Sequence, residues 1–272
     1  MKKYILIPGI IFVAIIIGFV SCKRDFTLKS PVTTTDGSSY LRIIDASPNF
    51  RTINGFSDTF NVYVNGVKIT GYTPGGASIL MTFNTIFPSS SNYGYIAIPA
   101  GTQQIKLSVA GILKSDSIDI QTFTKTFVAN NFYTFMITDS IKSTRDSSQM
   151  FIRDSSVQAP TGYFNMRFIN AVWNDTTGKA IDIWSTRTNQ YIFKNILPGG
   201  ITTFTQYPYN SVYSDTLYVR RSDATHFGLD TLNSVSFSNQ RTYTLFYKGN
   251  GTSRYISTTN PKGRHLATYI NQ

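Results

Sequence analysis

One cysteine, two histidines and fourteen aspartates are the residues of this 272-residue chain whose types could carry group transfer or bind a metal. Cys22 closes the apolar run GFVSC and is the sole thiol. His226 and His265 are the only imidazoles, whereas a nucleophilic triad or a zinc site of the His/Cys kind needs several such groups converging. Every acid is Asp. Glu, a frequent general acid because its pKa is readily tuned, does not occur. Asp116 and Asp119 in SDSIDI suggest a carboxylate pair or oxygen ligands for calcium, but residues three apart on a strand face opposite sides. Asp223, His226 and Asp230 share a loop that offers metal oxygens and one nitrogen, without the glycine-bearing pattern of a calcium loop. The sequence therefore predicts no catalytic residue, no metal and no cofactor, and a protein that is not an enzyme.

A second group suits binding. Tyr207 and Tyr209 flank Pro208, Tyr213 follows, and in an extended segment Tyr207 and Tyr209 project to one face. Paired aromatic faces stack on sugar rings while their hydroxyls hydrogen-bond. The alternative is that these rings cap a sandwich end or pack between the two halves of the chain.

The elements that must position these residues read as strands. The chain holds 20 Phe, 17 Tyr and 2 Trp together with abundant Thr, Ser, Val and Ile, a β-favouring mixture. FNVYVNGVKIT sets apolar residues in alternation on both sides of Asn65-Gly66, whose types tolerate the positive φ of a tight hairpin. Ile105, Leu107 and Val109 alternate with polar neighbours, as do Leu217 and Val219. Beyond the first 22 residues no long segment has helical period.

The pattern occurs twice, in the same order. LRIIDA (41–46) returns as MRFINA (166–171), FNVY (60–63) as IDIW (181–184), TPGG (73–76) as LPGG (197–200), and FYTF (132–135) as TYTL (242–245). An insertion near Met81 to Gly94 lengthens the first copy. Met150–Ile152 and Arg254–Ile256 read as the strands that close each copy. The prediction is all-β: two tandem Ig-like or Greek-key sandwich domains, 40–154 and 163–272, joined by a linker at 155–162 and following an N-terminal signal helix.

That leader starts with Lys2-Lys3 and runs apolar from Tyr4 to Val20, a length between a secretory core and a membrane span. Phe19-Val20-Ser21-Cys22 resembles the lipobox of bacterial lipoproteins. The resemblance implies cleavage after residue 21 and acylation of Cys22 by chains of the palmitate kind, which would consume the only thiol and hold the protein at a bilayer. An uncleaved membrane helix is the alternative. No Asp follows Cys22 directly, which by the same resemblance favours the outer membrane over the inner, on either its periplasmic or its cell-surface face. Residues 22–39 are Ser/Thr/Pro/Gly-rich and read as a flexible tether.

The net charge is +11, or +9 once Lys2 and Lys3 leave with the leader. Basic residues are scattered singly rather than clustered on a face or helix, which argues against nucleic acid. A basic surface beside anionic lipid or acidic glycan fits the expected compartment.

LRIIDASP (41–48), VYVNG (62–66), IPAG (98–101) and FYTFMITD (132–139) together resemble domain-of-unknown-function family 4397. The second half departs at Val172-Trp173, at Ser185 to Gln190 and at Tyr207 to Asn210, as a diverged copy would. The resemblance implies a fold and a location and carries over no catalytic residue. The expected function is a lipid-anchored cell-envelope protein, a binding or adhesion module at the outer membrane whose partner is an envelope glycan or another envelope protein. A structural subunit of an envelope complex, pairing through exposed strand edges, is the second reading, and an Asp-dependent hydrolase the third.

Overall fold

The computed structural model describes residues 37–48, 59–70, 80–88, 94–110, 117–138, 149–154, 157–172, 174–175, 177–212, 214–254 and 262–271. The leader, Cys22 and Tyr213 lie outside them, as do Asp116 and most of the expected tether. Residues 34–272 form one compact unit.

Among the described residues all regular structure is β, as the composition predicts. The first half holds β1 (Ser38–Asp45), β2 (Asn61–Val64), β3 (Val67–Lys68), β4 (Ile86–Phe87), β5 (Ile96–Pro99), β6 (Gly101–Ala110), β7 (Ser117–Phe127), β8 (Phe132–Ile137) and β9 (Met150–Asp154). The second holds β10 (Tyr163–Asn170), β11 (Ile181–Ser185), β12 (Gln190–Ile196), β13 (Thr205–Pro208), β14 (Asp215–Arg221), β15 (Gly228–Val235), β16 (Thr242–Lys248), β17 (Asn250–Arg254) and β18 (Gly263–Ile270).

Each half is a two-sheet sandwich. In the first, β4 and β5 flank one edge of β1, and β8 then β9 follow on its other side. The facing sheet runs β3-β2-β6-β7. The second half repeats this with β13-β10-β16-β18-β17 over β12-β11-β14-β15. Period-2 signals do not reveal that β1 lies parallel to β8, from Tyr40 opposite Phe132 to Asp45 opposite Ile137. β10 lies parallel to β16 in the matching register, Asn165 opposite Thr242 to Asn170 opposite Tyr247.

Burial separates the inner sheets from the outer ones. β14 alternates buried and half-buried residues along DTLYVRR, since only one of its faces meets a core. β1 is buried from Ser39 to Asp45: Leu41 and Ile43 enter the core of the first sandwich, whereas Ile44 and Ala46 turn the other way. There, with Met136, Met150 and Ile152, they meet Ile169, Ala171, Phe246 and Tyr269 of the second half. This third core joins the described strands into a stack of four sheets. It also explains the near-continuous apolar run of LRIIDA, because a strand covered on both faces has no polar side.

One sequence expectation is corrected. The strand closing the second half is β18, which pairs with β16 from Tyr243 opposite Ile270 to Lys248 opposite His265. Arg254 ends the edge strand β17, parallel to β18, and 255–256 lie outside the described residues. GRHLATYI was illegible because its burial comes at every third residue, without the alternation of a one-faced strand. At the corner between β16 and β17, Gly249 has φ +100°, and a Cβ there would stand 2.3 Å from the Gly263 carbonyl oxygen.

Candidate functional site

Of the tyrosines singled out in the sequence, Tyr207 and Tyr209 are described, and both pack against the core of the second sandwich. β13 carries Tyr207 inward, where its ring stacks on Phe164 at 5.8 Å and meets Phe193 edge-on at 6.2 Å. Its hydroxyl donates to the Ile192 carbonyl at 3.0 Å, and burial pushes the phenol up to about 12. Tyr209 also packs against this core, and it lines a cavity of about 260 Å³ with Arg187, Thr188, Pro208 and Asn210. The Arg187 guanidinium lies 5.5 Å from the Phe164 ring centre and donates to the Pro208 carbonyl at 3.2 Å. Arg187 Nε and Thr188 Oγ1 are buried with no hydrogen-bond partner. Orphaned buried polar atoms carry a desolvation cost, and here they lie under a cavity whose exposed lining is mostly apolar.

The candidate metal residues do not converge. Asp119 pairs with Lys106 at 3.0 Å. Asp223 accepts hydrogen bonds from Thr225 and Lys179, which hold its carboxyl at about 2, while His226 lies against the Tyr191 ring at 5.5 Å. Asp230 accepts the Leu266 amide at 2.6 Å. Among the described residues no three His, Cys, Asp or Glu are grouped to hold a metal.

A constellation that spacing could not reveal lies in the seam between the sandwiches. Asp154, at the end of β9, is fully buried and pairs with Arg167 of β10. Its other oxygen accepts the hydroxyls of Tyr95 at 2.8 Å and Thr134 at 2.6 Å. Burial, then the Asp154 charge, pushes the Tyr95 phenol well above its ordinary value. Burial alone would lower the Arg167 pKa; Tyr269 and Asp154 outweigh it and raise the value. Arg42 is only 2% exposed and lies between the Tyr95 and Tyr269 rings, at 4.2 and 4.6 Å from their centres. It donates to the Gly94 and Ile270 carbonyls at 3.0 and 2.9 Å, and its Nη1 has no partner.

Set in register, with 41–46 against 166–171, the seam repeats across a pseudo-twofold. The pairings of β1 and β10 place Tyr95 against Phe204, and those of β8 and β16 place Ile152 against Tyr269 and Arg153 against Ile270. Arg42 stacks on Tyr95, and Arg167 lies 4.7 Å from the centre of the Phe204 ring. Thr134 donates to Asp154, and Thr244 donates to Asn271 at 2.7 Å. Each half thus builds the same kind of contacts within itself, and across the seam Arg42 donates to the Ile270 carbonyl as Arg167 does to that of Arg153, reciprocally as in an isologous dimer.

On the Arg167 side the seam opens into a cleft of about 520 Å³. Asp154, Arg167, Ile152 and Phe204 line it together with Thr202, Thr203 and the exposed Arg153, whose Nη2 donates to Asn131 at 2.6 Å. Both Asp154 oxygens are engaged, so this carboxylate is built to hold a cation and two hydroxyls rather than to take a proton from a substrate.

Compared with known proteins, the chain matches the model of a domain of unknown function (DUF4397) over residues 39–184. No curated protein matches it.

Proposed function

This chain belongs to the DUF4397 family, a domain of unknown function, and from that premise we propose that it is a lipid-anchored envelope protein that binds rather than transforms its ligand. Its second half is a diverged copy of the family unit. The in-order sequence motifs support this, and so does the pairing of β10 with β16, which repeats that of β1 with β8. Acylated Cys22 fixes the chain to the outer membrane. The observation that carries the binding reading is the small cavity at Tyr209, where an aromatic wall meets two buried polar atoms without partners. A hydroxylated ring fits this lining: its apolar face lies on the tyrosine while its hydroxyls meet the Arg187 and Asn210 side chains that border the cavity. Acyl labelling and membrane fractionation of the full chain and of Cys22→Ser test the anchor. The label and membrane retention should both disappear in the variant; a labelled, membrane-bound Cys22→Ser protein would refute the anchor.

A further inference from the structure

The two sides of the seam are built alike but filled differently. On one side Tyr269 covers the Arg42 guanidinium, so that cation lies between two rings. On the other side the residue in the matching position is Ile152, so Arg167 has the Phe204 ring on its face and reaches only the hydroxyl of Tyr269, at 3.3 Å. The cleft of about 520 Å³ opens beside these residues. Its base is charge-balanced by the Arg167–Asp154 pair. Its mouth carries Arg153, exposed and committed through one nitrogen to Asn131. Thr202 and Thr203 add hydroxyls, and Ile152, Val157 and Phe204 add apolar surface.

We infer that this cleft is a binding site, distinct from the cavity at Tyr209, for a carboxylate-bearing sugar ring of the uronic acid type. Its ring lies on Phe204 beside the Thr202 and Thr203 hydroxyls, with its carboxylate on the Arg153 guanidinium. A hydroxylated ring with an apolar face suits a cleft that sets an aromatic ring beside hydroxyls. A carboxylate matches the two-pronged geometry of a free arginine, and no uncompensated acid lies at the base to repel it. The site extends the binding reading to an acidic class of ligand, yet it depends on neither Cys22 nor Tyr209.

The test is calorimetric titration of the full chain, solubilised in detergent, with a tri-uronic-acid oligosaccharide, a neutral trisaccharide and inorganic phosphate. The expected result is saturable binding of the acidic sugar that salt weakens and that Arg153→Ala, which removes charge-assisted hydrogen bonds at an exposed position, reduces about tenfold or more, whereas any binding of the neutral sugar is unaffected by salt and by Arg153→Ala. Ile152→Tyr, which places a ring in the cleft, should abolish binding, while Tyr209→Ala should leave it unchanged. Near-ultraviolet circular dichroism verifies that each variant is folded. Absence of binding to the acidic sugar, equal binding of phosphate, or full binding by folded Ile152→Tyr would overturn the inference. Binding lost in Tyr209→Ala but kept in Ile152→Tyr would transfer the ligand to the other cavity and overturn it as well.

Discussion

Arg42 and Arg167 reach across the seam reciprocally: Arg42 Nη2 donates to the Ile270 carbonyl at 2.9 Å, and Arg167 Nη1 donates to the matching Arg153 carbonyl at 3.4 Å. The two guanidiniums differ in charge compensation. Arg167 has Asp154; the position that matches Asp154 on the Arg42 side is Asn271. Two variants follow from that asymmetry.

Asp154→Asn leaves a buried guanidinium without its counter-charge and weakens the contacts of Tyr95 and Thr134. Breaking such a pair from one side costs about 3–5 kcal/mol, to be read as a fall in the urea midpoint. Asn271→Asp removes the amide that donates to the Tyr95 hydroxyl at 3.4 Å and buries a second carboxylate beside the one that this hydroxyl already serves, so it should lower the urea midpoint near neutral pH despite the nearby Arg42. Because like-charge crowding opposes ionisation of the new carboxyl, that loss should shrink as the solution is acidified.

Lys248 gives stability a dependence on alkaline pH. It is 2% exposed, hydrogen-bonds to Asn84, and lies 4.8 Å from the centre of the Phe246 ring. Burial lowers its pKa from 10.5 to about 8, against the opposing pull of Asp45. A lysine depressed in the folded state costs stability in full below that value, and the cost is relieved as pH rises from about 8 towards 10.5. The full shift corresponds to about 3 kcal/mol. Above about pH 10 unfolded tyrosines ionise, whereas Tyr95, Tyr207 and Tyr247 are all held higher when folded, so stability falls again. Denaturant titrations of the wild type should therefore show a rise between pH 8 and 10 that Lys248→Met lacks.

Cleavage between the halves should not separate them. Val157 is 66% exposed, and its carbonyl accepts the Thr242 hydroxyl at 2.9 Å, so residues 157–162 offer a protease site on a tied strap. The seam beneath it buries Ile44, Met136, Ile169 and Phe246 completely. A chain cut there should elute at the size of the intact protein and dissociate only in denaturant. Two independently eluting fragments would show that the seam does not hold the halves together.

Gly249→Ala should destabilise by more than the usual cost of a glycine replacement. The added methyl meets the Gly263 carbonyl oxygen at 2.3 Å, and the backbone has φ +100°, where L side chains are strained. Loss of β18 protection in amide exchange, beginning near Gly263, is the expected sign.

Where one face of a strand meets solvent, the sequence was legible. FNVYVNGVKIT became the β2–β3 hairpin, with Asn65 at φ 47° and Gly66 at φ 80°, and the alternation of Leu217 and Val219 marked β14. What alternation could not show is what lies on a strand's second face. LRIIDA reads as an ordinary buried strand, and nothing local announces that Arg42 turns into a seam 228 residues away in the chain from Ile270. The repeated arginine in LRIIDA and MRFINA was the available signal, since a cation kept at one position of an apolar strand needs a buried partner. Sequence alone does not separate the two described tyrosines by role: Tyr207 is committed to the core, while Tyr209 lines a cavity.

The binding reading is tested most directly by titrating neutral envelope glycans, at high salt, against the detergent-solubilised full chain and its Tyr209→Ala variant. Saturable binding by the wild type, reduced at least about tenfold in the variant through loss of the aromatic face, is the predicted result. No saturable binding to any glycan, or equal binding by the two proteins, would contradict it.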